Sequence, residues 1–260
     1  MHGSGDIAVD PEGIHADYCK DCRHVLYPIT LIITTMNEKQ ALQSIWPEIP
    51  FELFKRIIIL DNHSTDGTLE WLTNDGKFSK YKCQIIQQQN NGRGNGIQEA
   101  MQLVESHQDA AVMLMSSDGN DLPEYIPEVI SKFNEGYDLV FGTRFVEGGA
   151  SDNSDDPFRI RCFGNRILTG LVNLFFGTHY SDSTYGGFRL FRKSTWDRMS
   201  IHVKKNETEY LMSIRGGKLG LKVAQIPMIE GRRVGGEVKA KTWQTGLELL
   251  GVLLKEAWRS

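Results

Sequence analysis

Residues 56–68 read RIIILDNHSTDGT, an apolar run that passes directly into a polar segment. A short isoleucine-rich run bounded by polar turn residues is typical of a buried β-strand. The last three residues, Asp66-Gly67-Thr68, predict the start of a helix that carries Leu69, Trp71 and Leu72. The stretch therefore predicts a strand, a polar loop and a helix in succession.

The same alternation recurs on both sides of this stretch. Further strands are predicted over residues 29–35, 83–86 and 110–115, and helices over residues 38–46, 93–106 and 123–133. Repeated alternation of strands and helices is typical of parallel βαβ units, with helices on both faces of the sheet. The sequence therefore predicts an α/β fold with a mostly parallel central sheet flanked by helices.

The composition limits the class of protein. The chain has 260 residues, of which 40% are hydrophobic and 24% charged, as in an ordinary globular protein. Its net charge of −4 argues against nucleic acid as a partner. The sequence contains no run of about 18 apolar residues, and Met1 to Asp10 lack the features of a secretory signal. We therefore expect a cytoplasmic protein built around one large domain.

Cysteines stand at positions 19, 22, 83 and 162, and without a secretory signal we expect their thiols to be reduced. Cys19 and Cys22 form a CxxC pair with His15 and His24 nearby, which is compatible with a small zinc site. The other interpretation is a polar N-terminal extension that holds two thiols. The lack of a second CxxC or an HxxxH motif favours the extension.

Polar residues follow each of the four predicted strands. In a parallel sheet the ligand binds outside the carboxyl ends of the strands, so these residues are candidates for binding. Packing would not place carboxylates there repeatedly, whereas a binding cleft would. The candidates are Asn37 and Glu38, then Asp61, Asn62 and Ser64, then Gly92 and Gly94, and finally Ser117, Asp118, Asn120 and Asp121.

The glycine-rich segment NNGRGNG at residues 90–96 precedes a predicted helix. Glycines let backbone N–H groups approach an anion closely at the start of a helix. The segment lacks the GK[ST] ending of a P-loop and the spacing of GxGxxG. A plain glycine turn is the alternative interpretation.

Asp118, Asn120 and Asp121 bring side-chain oxygens together after the fourth strand. Such ligands suit Mg²⁺ or Mn²⁺, which commonly bridge a carboxylate to the phosphates of a substrate. The alternative is a turn in which Asp121 caps the helix that begins near Pro123. Because Asp118 directly follows a buried strand, we favour the metal-binding interpretation for Asp118.

Seven segments, in the same order, resemble glycosyltransferase family 2, and within it the polyprenyl-phosphate (dolichyl-phosphate) mannosyl- and glucosyltransferase branch. They are TTMNEK, LDNHSTDGT, NNGRGNGIQEAM, MSSDGNDLPEYIP, FGTRFVEGG, DSTYGGFRLFRK and IPMIEGRRVGGEVK. The resemblance implies a GT-A nucleotide-diphospho-sugar transferase fold. We expect this domain over residues 28–241, between an N-terminal extension at 1–27 and a C-terminal amphipathic helix at 242–260.

The resemblance also implies an activity and roles for particular residues. The activity is inverting transfer of a sugar from a UDP-, GDP- or dTDP-sugar to a polyprenyl phosphate or a saccharide, with Mg²⁺ or Mn²⁺. The implied positions are Glu38 and Asp61 for the nucleoside, Asp118 and Asn120 for the metal, Arg144, Arg233 and Lys239 for the phosphates, and Glu209 as an acidic active-site residue.

Three points stay open at the level of the sequence. Ser116 replaces the first aspartate of the metal-binding DxD motif and Val238 replaces a serine of the last motif, which also keeps a non-catalytic nucleotide-sugar-binding or scaffold protein as an alternative. A saccharide acceptor would need a general base, for which Asp121 and Glu209 are the candidates, whereas a lipid phosphate would not. The apolar segments 164–176 and 243–258 predict peripheral contact with the inner face of the membrane, or packing on the core or on another subunit.

Overall fold

The computed structural model describes residues 26–104, 110–151, 159–234 and 242–259. The strands are β1 (Ile29–Thr35), β2 (Arg56–Asp61), β3 (Gln84–Gln87), β4 (Ala111–Ser116), β5 (Leu139–Thr143), β6 (Arg189–Arg192) and β7 (Val223–Pro227). The helices are α1 (Lys39–Ile45), α2 (Thr68–Asn74), α3 (Gly76–Lys80), α4 (Arg93–Gln102), α5 (Ile126–Asn134), α6 (Ile160–Phe176), α7 (Lys193–Met199), α8 (Thr208–Lys218) and α9 (Thr242–Ala257).

The strands form one sheet in the order β3-β2-β1-β4-β6-β5-β7. β6 runs antiparallel to its neighbours β4 and β5, and the other pairs are parallel. The carboxyl ends of the other strands therefore meet at one edge of the sheet, together with the amino end of β6. The predicted α/β fold with a mostly parallel central sheet is confirmed.

The hydrophobic core has two parts, one on each face of the sheet. Ile57 and Ile59 of β2 pack with Leu42 of α1 on one face. Ile58 and Leu60 pack with Ile97 of α4 on the other face. A strand that is buried on both faces exposes neither face to solvent. The run at 56–61 is therefore apolar almost throughout.

The predicted boundaries of the elements shift by a few residues. β3 begins at Gln84 and ends at Gln87, and α4 ends at Gln102. The last two residues of the predicted helix, 105 and 106, lie outside the described residues. The helix predicted over 123–133 begins with a 3₁₀ turn at Pro123–Tyr125 and continues as α5. Pro127 lies in the first turn of α5, where its missing N–H breaks no helical hydrogen bond.

α9 packs against α6 and α8 rather than standing apart from the domain. Its inner face buries Leu249 and Leu253, and Glu256 at its end bonds Arg215 of α8 at 2.7 Å. Among the helices of the described residues, none combines the length and hydrophobicity needed to cross a bilayer. The CxxC pair at Cys19 and Cys22 and most of the predicted extension lie outside the described residues.

Candidate active site

A cavity of about 920 Å³ opens at the edge where the strands end. One wall comes from the polar strand ends, and the other comes from α6 and α9. Of the predicted site residues, those that line the cavity formed by the described residues are Glu38, Asn62, Gly92, Ser117, Asp118, Asn120, Arg144, Glu209 and Arg233. Lys239 lies outside the described residues.

Arg233 joins the ends of two neighbouring strands. Its Nη1 donates to Asp118 Oδ2 at 3.0 Å, and its Nη2 donates to Glu38 Oε1. Glu38 follows β1 and Asp118 follows β4, two strands that pair directly in the sheet. Residues predicted for the nucleoside, the metal and the phosphates are therefore in contact with one another.

The backbone around Arg233 is held against the turn that follows β4. The N–H of Gly231 donates to the Asn120 carbonyl at 2.9 Å, and the N–H of Val234 donates to the Asp118 carbonyl at 3.2 Å. A Cβ atom at Gly231 would lie 2.2 Å from the carbonyl oxygen of Gly119. Only glycine allows this approach, so Gly231 and the turn at 118–120 form one packed unit.

The residues after β4 fit a divalent cation that is shared with a bound phosphate. The Asn120 Oδ1 and Ser117 Oγ atoms are buried and make no hydrogen bond within the described residues. Together with the Asp118 carboxylate, these oxygens are the kind that Mg²⁺ and Mn²⁺ prefer. In the described ranges no group of three or more His, Cys, Asp or Glu side chains is arranged to hold a metal. Phosphate oxygens would therefore supply part of the coordination.

Asp121 lies behind the cavity instead of lining it. Its Oδ2 accepts the N–H of Ser116 at 2.7 Å, and its Oδ1 accepts the hydroxyl of Tyr185 at 2.6 Å. The carboxyl is 1% exposed, and burial raises its pKa to about 7. Among the described residues it bonds no N–H of the turn that begins at Pro123, so the predicted helix cap is not formed. In this structure Asp121 ties the end of β4 to the loop before β6.

Arg144 is buried at the end of β5 and is surrounded by acceptors. Its Nε donates to Asp182 Oδ2 at 2.7 Å, its Nη1 to Glu230 Oε1 at 3.3 Å, and its Nη2 to Thr184 Oγ1 at 3.4 Å. Burial lowers the pKa of Arg144, but the two carboxylates outweigh burial and raise that pKa above its ordinary value. The guanidinium therefore holds the 182–184 loop while one side of it lines the cavity.

Arg93 and Glu209, which both line the cavity, form an ion pair. Arg93 Nη1 donates to Glu209 Oε1, and Arg93 Nη2 donates to the carbonyl of Gly186 at 3.2 Å. Glu209 is 1% exposed. Burial opposes the charge of Arg93, but attraction to Glu209 prevails and raises the pKa of Arg93. The pair fixes Glu209 of α8 against the glycine-rich segment at the start of α4.

Gly92 and Gly94 lie close to the backbone of residues 203–205. A Cβ atom at Gly92 would lie 2.3 Å from the Lys204 carbonyl oxygen, and one at Gly94 would lie 2.5 Å from that of Val203. The backbone at Gly92 also has a φ of +105°, which side chains rarely adopt. Packing against the 203–205 loop thus accounts for both glycines, and their contact with an anion stays a prediction.

Three predicted residues do not line the cavity but form hydrogen bonds between the loops beside it. Asp61 is fully buried, and its carboxylate accepts the N–H of Ser64 at 3.1 Å. The Ser64 hydroxyl accepts the N–H of Asn37 at 2.9 Å, and Asn37 Oδ1 accepts the N–H of Thr65 at 2.7 Å. These bonds hold the loops after β1 and β2 together.

Sequence reasoning missed three charged residues of this site, namely Arg93, Asp182 and Glu230. Arg93 stands inside the glycine-rich segment, and the other two stand inside quoted motifs, so their positions were visible. Their partners were not visible, because Arg93 reaches a glutamate 116 positions away and Arg144 reaches one 86 positions away.

The other half of the cavity is mostly apolar, with Arg161, Asn165 and Thr245 as its polar lining residues on α6 and α9. It runs between α6 and α9 and is lined there by Ile160, Ile167, Leu168, Leu171, Trp243, Leu247, Leu249 and Leu250. Several of these side chains are also exposed to solvent, including Ile160 at 60% and Trp243 at 76%. One cavity thus joins a charged end at the sheet to an apolar slot that reaches the surface.

Two proteins with similar sequences are named as sugar transferases. The chain is 25% identical over 200 residues to the glycosyltransferase AglJ of Haloferax volcanii, covering 76% of this chain and 61% of that protein. It is 28% identical over 220 residues to a dolichol-phosphate mannosyltransferase of Pyrococcus furiosus, covering 82% of this chain and 59% of that protein. The chain therefore spans about three fifths of the length of these two relatives.

Solved structures of glucosyl-3-phosphoglycerate synthase from Mycobacterium tuberculosis share the fold. The complex with UDP has 17% sequence identity and a TM-score of 0.65, covering 89% of this chain and 80% of that chain. The complex with Mn²⁺, UDP-glucose and phosphoglyceric acid has 16% identity and a TM-score of 0.64. The predicted GT-A fold is thereby confirmed.

The family is decided by a match that runs from β1 to α7. Residues 30–198, which hold the strand ends described above up to Arg144 and Asp182, match the family model described as glycosyl transferase family 2. The match covers well over half of the chain. The chain belongs to glycosyl transferase family 2.

Proposed function

We propose that this protein transfers a sugar from a nucleoside diphosphate sugar to a polyprenyl phosphate, with the help of Mg²⁺ or Mn²⁺. The observation that carries the proposal is the two-part cavity, in which a charged end at the sheet continues into an apolar slot between α6 and α9. A sugar donor with two phosphates suits the first part. An isoprenoid chain suits the second.

The charged end provides what the leaving group needs. As the bond from the sugar to the diphosphate breaks, negative charge grows on the departing phosphate. Arg233 lies beside Asp118, and we expect it to bind that phosphate. A divalent ion held by Asp118 and Asn120 would neutralise the same charge when bound. The mannosyltransferase relative and the Mn²⁺ complex with UDP-glucose support this assignment by analogy.

The acceptor half favours a lipid phosphate over a saccharide. The slot is lined mainly by leucine, isoleucine and tryptophan, with Arg161, Asn165 and Thr245 as its polar residues, so most of its wall suits an isoprenoid chain better than a sugar. The anionic oxygen of a lipid phosphate can attack the anomeric carbon directly, which forms the new glycosidic bond, expels the nucleoside diphosphate and inverts the centre. No general base is then required. This agrees with the buried position of Asp121, and leaves Glu209, paired with Arg93, to position substrate.

Two exposed apolar stripes continue the slot onto the surface. One on α6 comprises Ile160, Phe163, Ile167 and Leu174, and one at α9 comprises Trp243, Leu247, Leu254 and Trp258. We infer that they rest on the inner face of the membrane, where a polyprenyl chain resides. The competing occupant is a second copy of the chain, which would bury the same stripes in a homo-oligomer.

Transfer to a lipid acceptor tests the proposal. The full chain is incubated with polyprenyl phosphate in detergent, radiolabelled UDP-glucose or GDP-mannose, and Mn²⁺, and labelled lipid is extracted. We expect transfer by the wild type, and a loss of about 100-fold or more in Asp118→Ala, as when one group that stabilises transition-state charge is removed. Asp197→Ala removes an exposed carboxylate of α7 outside the cavity and serves as the matched control.

The outcomes separate enzyme from scaffold. Transfer to lipid that depends on Asp118 supports the proposal. Binding of a nucleoside diphosphate without turnover, with lipid and saccharide acceptors alike, would establish the non-catalytic alternative that Ser116 suggests. Transfer to saccharides alone would overturn the choice of acceptor.

A further inference from the structure

Arg233 engages the two carboxylates at the charged end of the cavity. Its guanidinium bonds Asp118 Oδ2 through Nη1 and Glu38 Oε1 through Nη2. The second oxygen of Asp118 accepts the N–H of Asn120 at 3.2 Å. Both oxygens of the carboxylate that fits a cation are thus already engaged by groups of the protein.

The position of this guanidinium follows from the backbone. Arg233 lies between Gly231 and Val234, whose N–H groups both donate to carbonyls of the 118–120 turn. The same turn carries Asp118 and Asn120, the side chains that fit a divalent cation. A segment bonded to the turn on both sides of Arg233 therefore delivers a positive charge to the place where the cation belongs.

Simultaneous binding of a divalent cation and the guanidinium to Asp118 is electrostatically unfavourable. At a separation of about 4 Å two positive charges repel each other even in water, and more strongly in a partly buried site. Asp118 is also the single carboxylate of this turn that faces the cavity, since Ser116 stands in place of an acid. A diphosphate changes the balance, because it can bind a guanidinium through two oxygens and a cation through others.

We propose that Arg233 is an exchangeable counter-ion, which holds Asp118 and Glu38 until a divalent cation and a nucleoside diphosphate bind together. On binding, the diphosphate accepts the guanidinium and the cation takes its place on Asp118. The affinities for the two ligands are therefore coupled through one side chain. This inference rests on the proposed function in one respect, namely that the donor carries a nucleoside diphosphate.

Binding of Mn²⁺ alone tests the inference without any turnover. Free Mn²⁺ is measured by electron paramagnetic resonance in titrations of the full chain, with and without UDP, GDP or dTDP. We expect weak binding by the wild type alone and tighter binding with nucleotide. Arg233→Met should bind Mn²⁺ alone about tenfold more tightly, because the repelling charge is gone. In this variant, nucleotide should raise the affinity for Mn²⁺ less than in the wild type. By reciprocity, the effect of Mn²⁺ on nucleotide affinity should fall by the same factor.

Three further variants locate the effect. Arg232→Met removes the exposed neighbouring charge and should leave Mn²⁺ affinity as in the wild type. Asp118→Asn in the Arg233→Met background should abolish the gain, because the added ion binds at Asp118. Arg233→Lys keeps the charge and loses the two-pronged bridge, so it should lie between the wild type and Arg233→Met. It also replaces Arg233→Met if circular dichroism shows that variant unfolded.

Failure of the inference and failure of the proposed function give different results. If nucleotide binds but Arg233→Met and Arg233→Lys hold Mn²⁺ alone no better than the wild type, the counter-ion role is overturned and the proposed function stands. Equal Mn²⁺ affinity of the wild type with and without nucleotide also overturns it. If none of the three nucleotides binds the wild type, the proposed function fails, and the coupling fails with it.

Discussion

The side-chain carboxyl of Asp121 is surrounded by Ser116, Tyr185 and the backbone at Gly187. A Cβ atom at Gly187 would lie 2.0 Å from Asp121 Oδ1, so glycine is required there. Burial raises the pKa of this carboxyl to about 7, and the nearby charge of Asp118 acts in the same direction. In the folded protein Asp121 therefore keeps a proton that the unfolded chain loses near pH 4.

This raised pKa predicts a pH dependence of stability. Because the folded state binds the proton more tightly, the contribution of Asp121 is fully present below the unfolded pKa, declines as the pH rises, and is lost above about pH 7. We expect Asp121→Asn, which mimics the protonated carboxyl, to lack this decline. Urea denaturation of metal-free protein from pH 5 to 8.5 measures it, and parallel curves for the wild type and the variant would contradict the assignment.

The arginines of the site are paired in a way that the motifs do not reveal. Arg93, Arg144 and Arg233 each bind a carboxylate that is distant in sequence. Sequence motifs named two of these arginines as phosphate ligands, but they did not reveal the acids already beside them. A phosphate that enters the cavity would compete with those carboxylates for the guanidinium groups.

At the scale of elements, the start of α4 depends on its fit to the loop before α8. Gly94 lies in the first turn of α4, and a Cβ atom there would lie 2.5 Å from the Val203 carbonyl and 2.8 Å from that of Lys205. Both neighbours are backbone atoms, so neither can move without shifting the loop. The helix start and the loop therefore behave as one packed unit.

Gly94→Ala should therefore destabilise the fold. We expect a loss of about 1–3 kcal/mol in the free energy of unfolding, as for overpacking in a core. Gly170→Ala is the matched control, since Gly170 lies inside α6 with open space around its Cβ position, and alanine favours helix there. Chemical denaturation compares the two, and equal stabilities would show that the 203–205 loop adjusts freely.

In the whole molecule, the cavity opens beside the apolar stripes on α6 and α9, since Ile160, Ile167, Trp243 and Leu247 belong to both. The strand ends meet there because all strands but β6 run in the same direction. α9 packs its Leu253 inward and turns Leu254 outward, and Trp258, directly after α9, is 86% exposed. A membrane lying on that side would present a lipid acceptor to the slot.

This orientation predicts binding to vesicles. Leu254→Glu combined with Trp258→Glu should weaken cosedimentation with vesicles of anionic phospholipid by roughly tenfold or more, because apolar area is lost and negative charge is added. Leu103→Glu, at an exposed leucine after α4, is the control and should bind like the wild type. Size-exclusion chromatography with light scattering examines the alternative, because a dimer that the double variant disrupts would place the stripes in an interface between copies.

Local sequence patterns were enough to predict strands β1 to β4 and the polar segments that follow them, but not β5, β6 and β7 or the order of the strands. Apolar runs such as 56–61 can be satisfied only by burial on both faces, and this need, together with the alternation of strands and helices, is a local property of the chain. The family motifs are also local, so the fold and most members of the site follow from the order of residues alone. Residues from the polar segments after β1, β2 and β4 and from the glycine-rich segment after β3 line the cavity.

Which charges meet, and which candidates face the cavity, depends on how the chain folds in three dimensions. Arg233 bridges Glu38 and Asp118 from 195 and 115 positions away, and Asp121 turns behind the sheet edge while Asp118 turns into the cavity. Such pairings depend on loop packing, burial and the direction of each side chain. No periodic pattern or fixed spacing in the sequence predicts these properties. The physical reason is that electrostatic interactions depend on distance and desolvation in space, whereas the patterns of secondary structure depend on position along the chain.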